Sequence, residues 1–202
     1  MHSLYSLSLL WLSFFELPPI PVSILGGALA IFLGFKNSSA YDRWREAREI
    51  WGAIVNDSRS LGMEINTYCV PKPGEEEELD VWKKRTTFRH IDWLYALRSL
   101  LRKEANCEVL KDWVSSADGE VLSRAKNVPA QIILLQAKDV SYEFDKGWIE
   151  QFRFKAYMST LKKMYDNQGK CERIKNTVFP FYYNYFTNLF LWLFTISLPL
   201  LC

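Results

Sequence analysis

His90 and Asp92 stand two residues apart, and an imidazole beside a carboxylate is the commonest raw material for proton transfer. On a helix, however, residues two apart face different ways, so both are expected on a solvated surface rather than in one acid–base site. Four consecutive carboxylates, Glu75 to Glu78, offer a second possibility, a calcium site. They lack the alternating ligand spacing and the glycine of a calcium loop and read as a solvated loop leading into a helix N-terminus. Cys69, Cys107, Cys171 and Cys202 form no CxxC pair, and only His2 and His90 could join them. Neither zinc nor redox spacing is present, and free thiols are expected. There is no GxSxG, HExxH, Walker or GxGxxG motif, and Gly26–Gly27 follow no strand and carry no phosphate-loop lysine. No enzyme, cofactor or metal is predicted.

The elements that would position any site are set by charge segregation. In 202 residues, 49% hydrophobic and 15% aromatic, the net charge of +2 gives no electrostatic case for nucleic acid. Glu16 is the one charged side chain before Lys36, and none follows Lys175. Pro18 to Gly52 carries the transition. Ile20 to Phe35 has no ionisable group and holds the small residues Ser23, Gly26, Gly27, Ala28, Ala30 and Gly34, as in closely packed membrane helices. Beyond Lys36, Trp44, Ala47, Trp51, Ile54, Val55, Ser58 and Leu61 recur at helical spacing. The spacing predicts one helix of about 40 residues, about 60 Å long, passing from hydrocarbon into water.

Leu4 to Phe15 is apolar but short of the ~20 residues a crossing needs, and it lacks the basic start and cleavage site of a signal peptide. With the apolar ending LPLLC, both ends of the chain read as clipped. The middle is predicted helical. Thr86–Lys103 carries an apolar stripe of Ile91, Leu94, Leu97 and Leu101, with Arg89 and Asp92 off it. Glu108–Arg124 reads as a helix pair broken near Ser115–Gly119. Pro129 opens the next helix, Asp145 caps one from about Gly147 to Tyr165, and Gly169 ends it. Thr177 to Cys202 is uncharged and begins with an aromatic cluster from Phe179 to Phe186, suited to a membrane segment. Lys36, Arg43, Arg45 and Arg48 after one span, and Lys170, Arg173 and Lys175 before the other, place the middle in the cytosol. The fold class is all-α: multi-pass transmembrane helices with a cytosolic helical bundle.

Two blocks, IPVSILGGALAIFLGFKNSSAYDRWREAREIWG and GKCERIKNTVFPFYYNYF, resemble, in order and separation, the second membrane helix and the lead into the third in bacterial bestrophin homologues. The resemblance covers Leu4 to Cys202. It implies a single unit of membrane helices at 1–35, a cytosolic helical region at 36–177 and a membrane helix at 178–202. It also implies a homopentamer in the plasma (inner) membrane that conducts monovalent ions passively, chloride first. A cation-selective homologue and a non-conducting, membrane-anchored helical scaffold are the alternatives. Carried over by motif, the pore neck falls on Ile20, Ile24 and Ala28, and the cytosolic aperture on Phe179. The spacing i, i+4, i+8 makes one helix stripe. Five copies would stack apolar rings, with Ala28 standing where the family has bulk. The segments that hold calcium in the family have no counterpart here, so no metal is assigned.

Overall fold

The computed structural model describes residues 19–104, 116–178 and 180–200, and of 116–118 and 200 the backbone alone. Among these residues the elements are helices: α1 (Pro19–Thr67), α2 (Glu76–Arg102), α3 (Ser116–Ser123), α4 (Val128–Lys146), α5 (Gln151–Asn176) and α6 (Phe181–Ser197), followed by a 3-10 turn at Leu198–Leu200. The β-structure among them is one isolated antiparallel bridge, Cys69 to Ile149. The chain divides into two compact units, Met1–Glu46 with Thr177–Cys202, and Ala47–Asn176.

α1 runs 49 residues without interruption. Pro19 and Pro21 lie in its first turn, where a missing N–H costs nothing. It overshoots the expected length because the pattern that carries Leu61 inward continues through the buried Glu64 and Ile65. At the far end, the Asn66 and Thr67 side chains donate back to the carbonyls of Gly62 and Met63 at 2.7 and 2.8 Å, and the Tyr68 N–H closes the last turn on the Glu64 carbonyl at 2.9 Å. Of the described helices, α1 is long and apolar enough to cross a bilayer. The 17 residues of α6 sit at the short limit for a crossing, near 17 residues.

In the first unit, the start of α1 packs against α6. Val22 and Leu29 are buried. Phe32 meets the Tyr183 ring edge-on at 5.2 Å and the Phe190 ring at 5.3 Å. Gly26 faces Phe194 so closely that a Cβ there would lie 3.0 Å from the ring. Thr187, 2% exposed, donates to the Tyr183 carbonyl, which keeps its hydroxyl satisfied in an apolar setting.

The second unit is a helical bundle. Its core gathers Ile54 and Leu61 of α1, Trp82, Trp93 and Leu97 of α2, Ile132 and Val140 of α4, and Tyr157, Leu161 and Met164 of α5. Pro129 stands in the first turn of α4 as expected, and Asn127 caps that helix by accepting from the Ala130 N–H at 3.1 Å.

Several expectations are corrected. α2 begins ten residues earlier than Thr86, at Glu76, with Glu76, Glu77 and Glu78 in its first turn, where the helix dipole favours carboxylates. Its buried side is Trp82, Arg89, Trp93, Ala96 and Leu97, while Ile91 is 38% exposed. The helix is covered by both α4 and α5, so the buried arc is wider than one apolar stripe. Residues 116–119 are helical, not a break, and residues 108–115 lie outside the described residues. Asp145 does not cap a new helix but ends the old one: Gly147, at φ 87°, takes the left-handed turn that stops α4. The N–H groups of Gly147 and Trp148 close that end on Phe144 and Glu143, both at 3.0 Å. α5 therefore starts at Gln151, and it runs through Gly169 to Asn176. Burial of Gln168 and Cys171 around that glycine outweighs its helix penalty of about 1 kcal/mol.

Adjacent glycines in α1 are expected to answer oppositely. Gly26→Leu overpacks against Phe194 and lowers stability by about 1–3 kcal/mol. At Gly27 a Cβ meets nothing within 4 Å, and Gly27→Ala is neutral or stabilising by up to about 1 kcal/mol. Thermal unfolding of the detergent-solubilised protein measures both, and equal losses at the two positions would refute the close packing.

Candidate functional site

Ile20, Ile24 and Ala28 share one side of α1, as their spacing requires. Ile20 is 70% and Ile24 68% exposed, Ala28 is partly covered, and on the opposite side Val22 and Leu29 are 5% and 6% exposed. Burial on this stretch is greatest away from Ile24, at Val22 and Leu29, although Leu33 is 40% exposed, and the apolar side that carries Ile20 and Ile24 is unpartnered. The unpartnered face carries no base, nucleophile or metal ligand. What an isoleucine surface does to a hydrated ion is refuse it hydrogen bonds, the physics of a hydrophobic constriction.

Phe179 lies outside the described residues. Its flanks are well held. The Arg43 guanidinium donates to the Thr177 carbonyl. Pro180 precedes α6 at φ −53° and ψ 126°, and its carbonyl accepts from the Tyr183 N–H at 3.1 Å. Asn37, Ser38 and Ser39 continue α1 rather than interrupting it, with Asn37 and Ser38 exposed. The first carboxylate on the Ile24 side is Asp42, five turns further on, 3.5 Å from Arg45 with both side chains exposed.

The residues with titratable chemistry form a different picture from the sequence expectation. His90 and Asp92 are not on a solvated surface. Asp92 is 2% exposed, its Oδ2 has no hydrogen-bond partner among the described residues, and burial pushes its carboxyl up to about 6 against the pull of Arg89. His90 stacks on Trp93 at 5.7 Å, both ring nitrogens are buried without a hydrogen-bond partner among the described residues, and burial pushes the imidazole down to about 4. They still do not form an acid–base pair, because no bond joins them. Arg89 reaches across to Asp139 of α4 at 2.5 Å, with Arg85 adding a second contact at 3.1 Å. That ion pair draws a polar edge of α2 into the bundle.

The acidic run is likewise not free in solvent. Glu75 accepts from the Trp148 indole at 2.5 Å, and Glu78 pairs at 2.6 Å with Lys146, whose ammonium lies 3.8 Å from the Trp148 ring centre. It fastens the start of α2 to the α4–α5 connection. Cys69 and Cys171 are free and buried, and burial pushes the Cys69 thiol up to about 12, which leaves it without nucleophilic character. Among the described residues no group of three His, Cys, Asp or Glu side chains is placed to hold a metal.

Comparison with known proteins gives these elements a context. Residues 3–202 match the family model described as Bacterial/Fungal Bestrophin protein. Over 182 residues, 89% of this chain, the sequence is 35% identical to the Voltage-dependent anion channel-forming protein YneE of Salmonella typhi. It is 30% identical over 185 residues to the Voltage-dependent anion channel-forming protein RSc3414 of Ralstonia nicotianae. The chain spans 56% and 58% of the lengths of these two relatives. A crystal structure of a bacterial bestrophin homolog from Klebsiella pneumoniae superposes with a TM-score of 0.80 at 26% identity, covering 90% of this chain and 65% of that one.

Asp92 and His90 make opposing contributions to the pH dependence of stability. The folded state holds the Asp92 proton to about 6 rather than the ordinary 3.8, so this stabilising contribution is present in acid and lost as pH rises through that window. The folded state releases the His90 proton until about 4 rather than 6.5, so stability is lost as pH falls through the same range. Asp92→Asn removes the first contribution and leaves the second. The variant should exceed the parent by about 1–3 kcal/mol above pH 6, with the gain vanishing near pH 4. Unfolding midpoints between pH 4 and 7 measure this, and a pH-independent difference would contradict it.

Proposed function

Because this chain belongs to the bacterial and fungal bestrophin family, we propose that it forms an ion channel: a homopentamer in the plasma membrane whose axial pore is lined by α1. The observation that carries the reading is the apolar face of α1. Ile20 and Ile24 are 70% and 68% exposed, while Val22 and Leu29 on the far side are buried. Five copies around an axis turn that face into stacked rings. Ile20 and Ile24 form the narrow part of the neck, and Ala28 forms a wider ring beneath them. Ions cross by shedding water, and the rings close by dewetting.

In this reading residues 1–35 and 178–202 are membrane helices, and 36–177 form the cytosolic helical region of one bestrophin-like unit. The chain is thus multi-pass, and its work is passive conduction rather than catalysis. Anions, chloride first, are the proposed cargo, since the relatives above are named as anion channel-forming proteins. At the cytosolic exit, a ring of Phe179 side chains narrows the path and presents the positive edges of its aromatic rings to an anion. A cation-selective variant is favoured by one observation, Asp42 on the Ile24 side of α1, which its exposed contact with Arg45 only partly offsets. A membrane-anchored scaffold that does not conduct stands as the reading if no ring assembles.

Native mass spectrometry in detergent should show five copies, and monomers would favour the scaffold. In bilayers, Ile24→Ala should raise unitary conductance about two-fold or more by widening the apolar ring. Unchanged currents from an assembled pentamer would remove the neck assignment. Reversal potentials under a chloride salt gradient assign the sign of the carried ion.

A further inference from the structure

The apolar face of α1 does not end at Ala28. At about 100° per residue, Ile20 and Ala28 lie about 40° to either side of Ile24. Ile31 and Phe35 lie only about 20° to either side of it, closer to the middle of the stripe than two of the three neck positions. Both are as unpartnered as the neck itself: Ile31 is 62% and Phe35 59% exposed. This is not general looseness of the helix, since Leu29 between them and the neck is 6% exposed, and Phe32 is engaged with Tyr183 and Phe190. Nor is the face interrupted: from Ile20 to Phe35 it carries no charged or hydroxyl side chain, and Ser38 and Asp42 follow only afterwards.

We propose that Ile31 and Phe35 line the ion path as two further apolar rings, with Phe35 supplying the inner constriction that Ala28 leaves open. The inference rests on the neck reading above and extends it. The dry segment then spans Ile20 to Phe35, about 22 Å at ~1.5 Å per residue, and its inner gate sits about 10 Å deeper than Ala28. A methyl group at Ala28 cannot exclude a hydrated ion from a five-fold ring, whereas a phenyl group one and a half to two turns further in restores the bulk on the same side of the helix. The two gates are separated by a stretch whose flank is formed by Gly27 and Gly34, where a side chain would meet nothing within 4 Å. The wider section at Ala28 and Gly27 lets an ion partly rehydrate before it meets the Ile31 and Phe35 rings.

The test is cysteine accessibility in the assembled pentamer, using a membrane-impermeant, negatively charged methanethiosulfonate reagent. Ile24→Cys, Ile31→Cys and Phe35→Cys are compared with Leu33→Cys on the opposite side of the helix and with the parent chain, whose own thiols set the background. Current block at positions 24, 31 and 35, but not at 33, is the expected result. Block at Ile24→Cys with none at 31 or 35 overturns this inference and leaves the neck standing; those two side chains then face lipid or a neighbouring helix. No block at any of the three in an assembled channel removes the neck reading and this extension together. Phe35→Leu keeps an apolar residue and protects assembly. It should raise unitary conductance by about two-fold, and an unchanged conductance overturns the inner ring.

Discussion

Everything in this chain depends on one helix keeping one side packed while its surroundings change. α1 is continuous from Pro19 to Thr67, and the residues buried along it recur at helical spacing. In the first unit the packed side is Val22, Gly26, Leu29 and Phe32. In the second it is Ile50, Ile54, Leu61 and Ile65. The free side is then determined by subtraction, and it changes character from isoleucine and phenylalanine to serine, aspartate and arginine as the helix leaves the uncharged run. Function is read from the side that packing leaves over.

The packing itself uses different chemistry in the two units. In the uncharged run, small residues and aromatic edges do the work: Gly26 lets a ring approach, and Phe32 meets two more rings. In the bundle, ion pairs and buried polar groups are interleaved with tryptophan. The Arg89–Asp139–Arg85 cluster joins α2 to α4, and Glu64 accepts from Thr160 of α5 at 2.7 Å. Such partnered groups remove alternatives, since a slipped helix would strand a charge in the core. Asp92 and His90 are among the exceptions: burial favours the uncharged form of each, which fits an interior with little to spare for charge.

Much of the fold was legible in residue order. Charge segregation located both apolar runs, the three- and four-residue spacing extended α1 into the charged region, and Pro129 marked the start of α4. The failures share a cause. The stripe read on α2 assumed one buried face, but α4 and α5 both cover that helix, so Arg89 is buried against Asp139 of α4 and Asp92 is covered beside it. Asp145 and Gly169 were read by local preference, yet Gly147 in its left-handed conformation and the tertiary burial around Gln168 decided those boundaries. Long-range pairing is invisible to a local reading. The stripe Ile20–Ile24–Ala28 was legible as a stripe, but its extension through Ile31 and Phe35 only stood out once burial separated them from Leu29 and Phe32, which are equally apolar in sequence.

The adjoining glycines Gly26 and Gly27 have a consequence for how this protein tolerates change. They are chemically identical neighbours, yet one is wedged against a ring and the other opens on free space. Substitution tolerance along α1 should therefore oscillate with the helix pitch rather than drift with depth: strict, lenient and strict again within a few residues. A map of permitted residues along this helix would carry its rotational setting as a waveform, and the phase of that wave would report which way the helix faces without any structure being consulted.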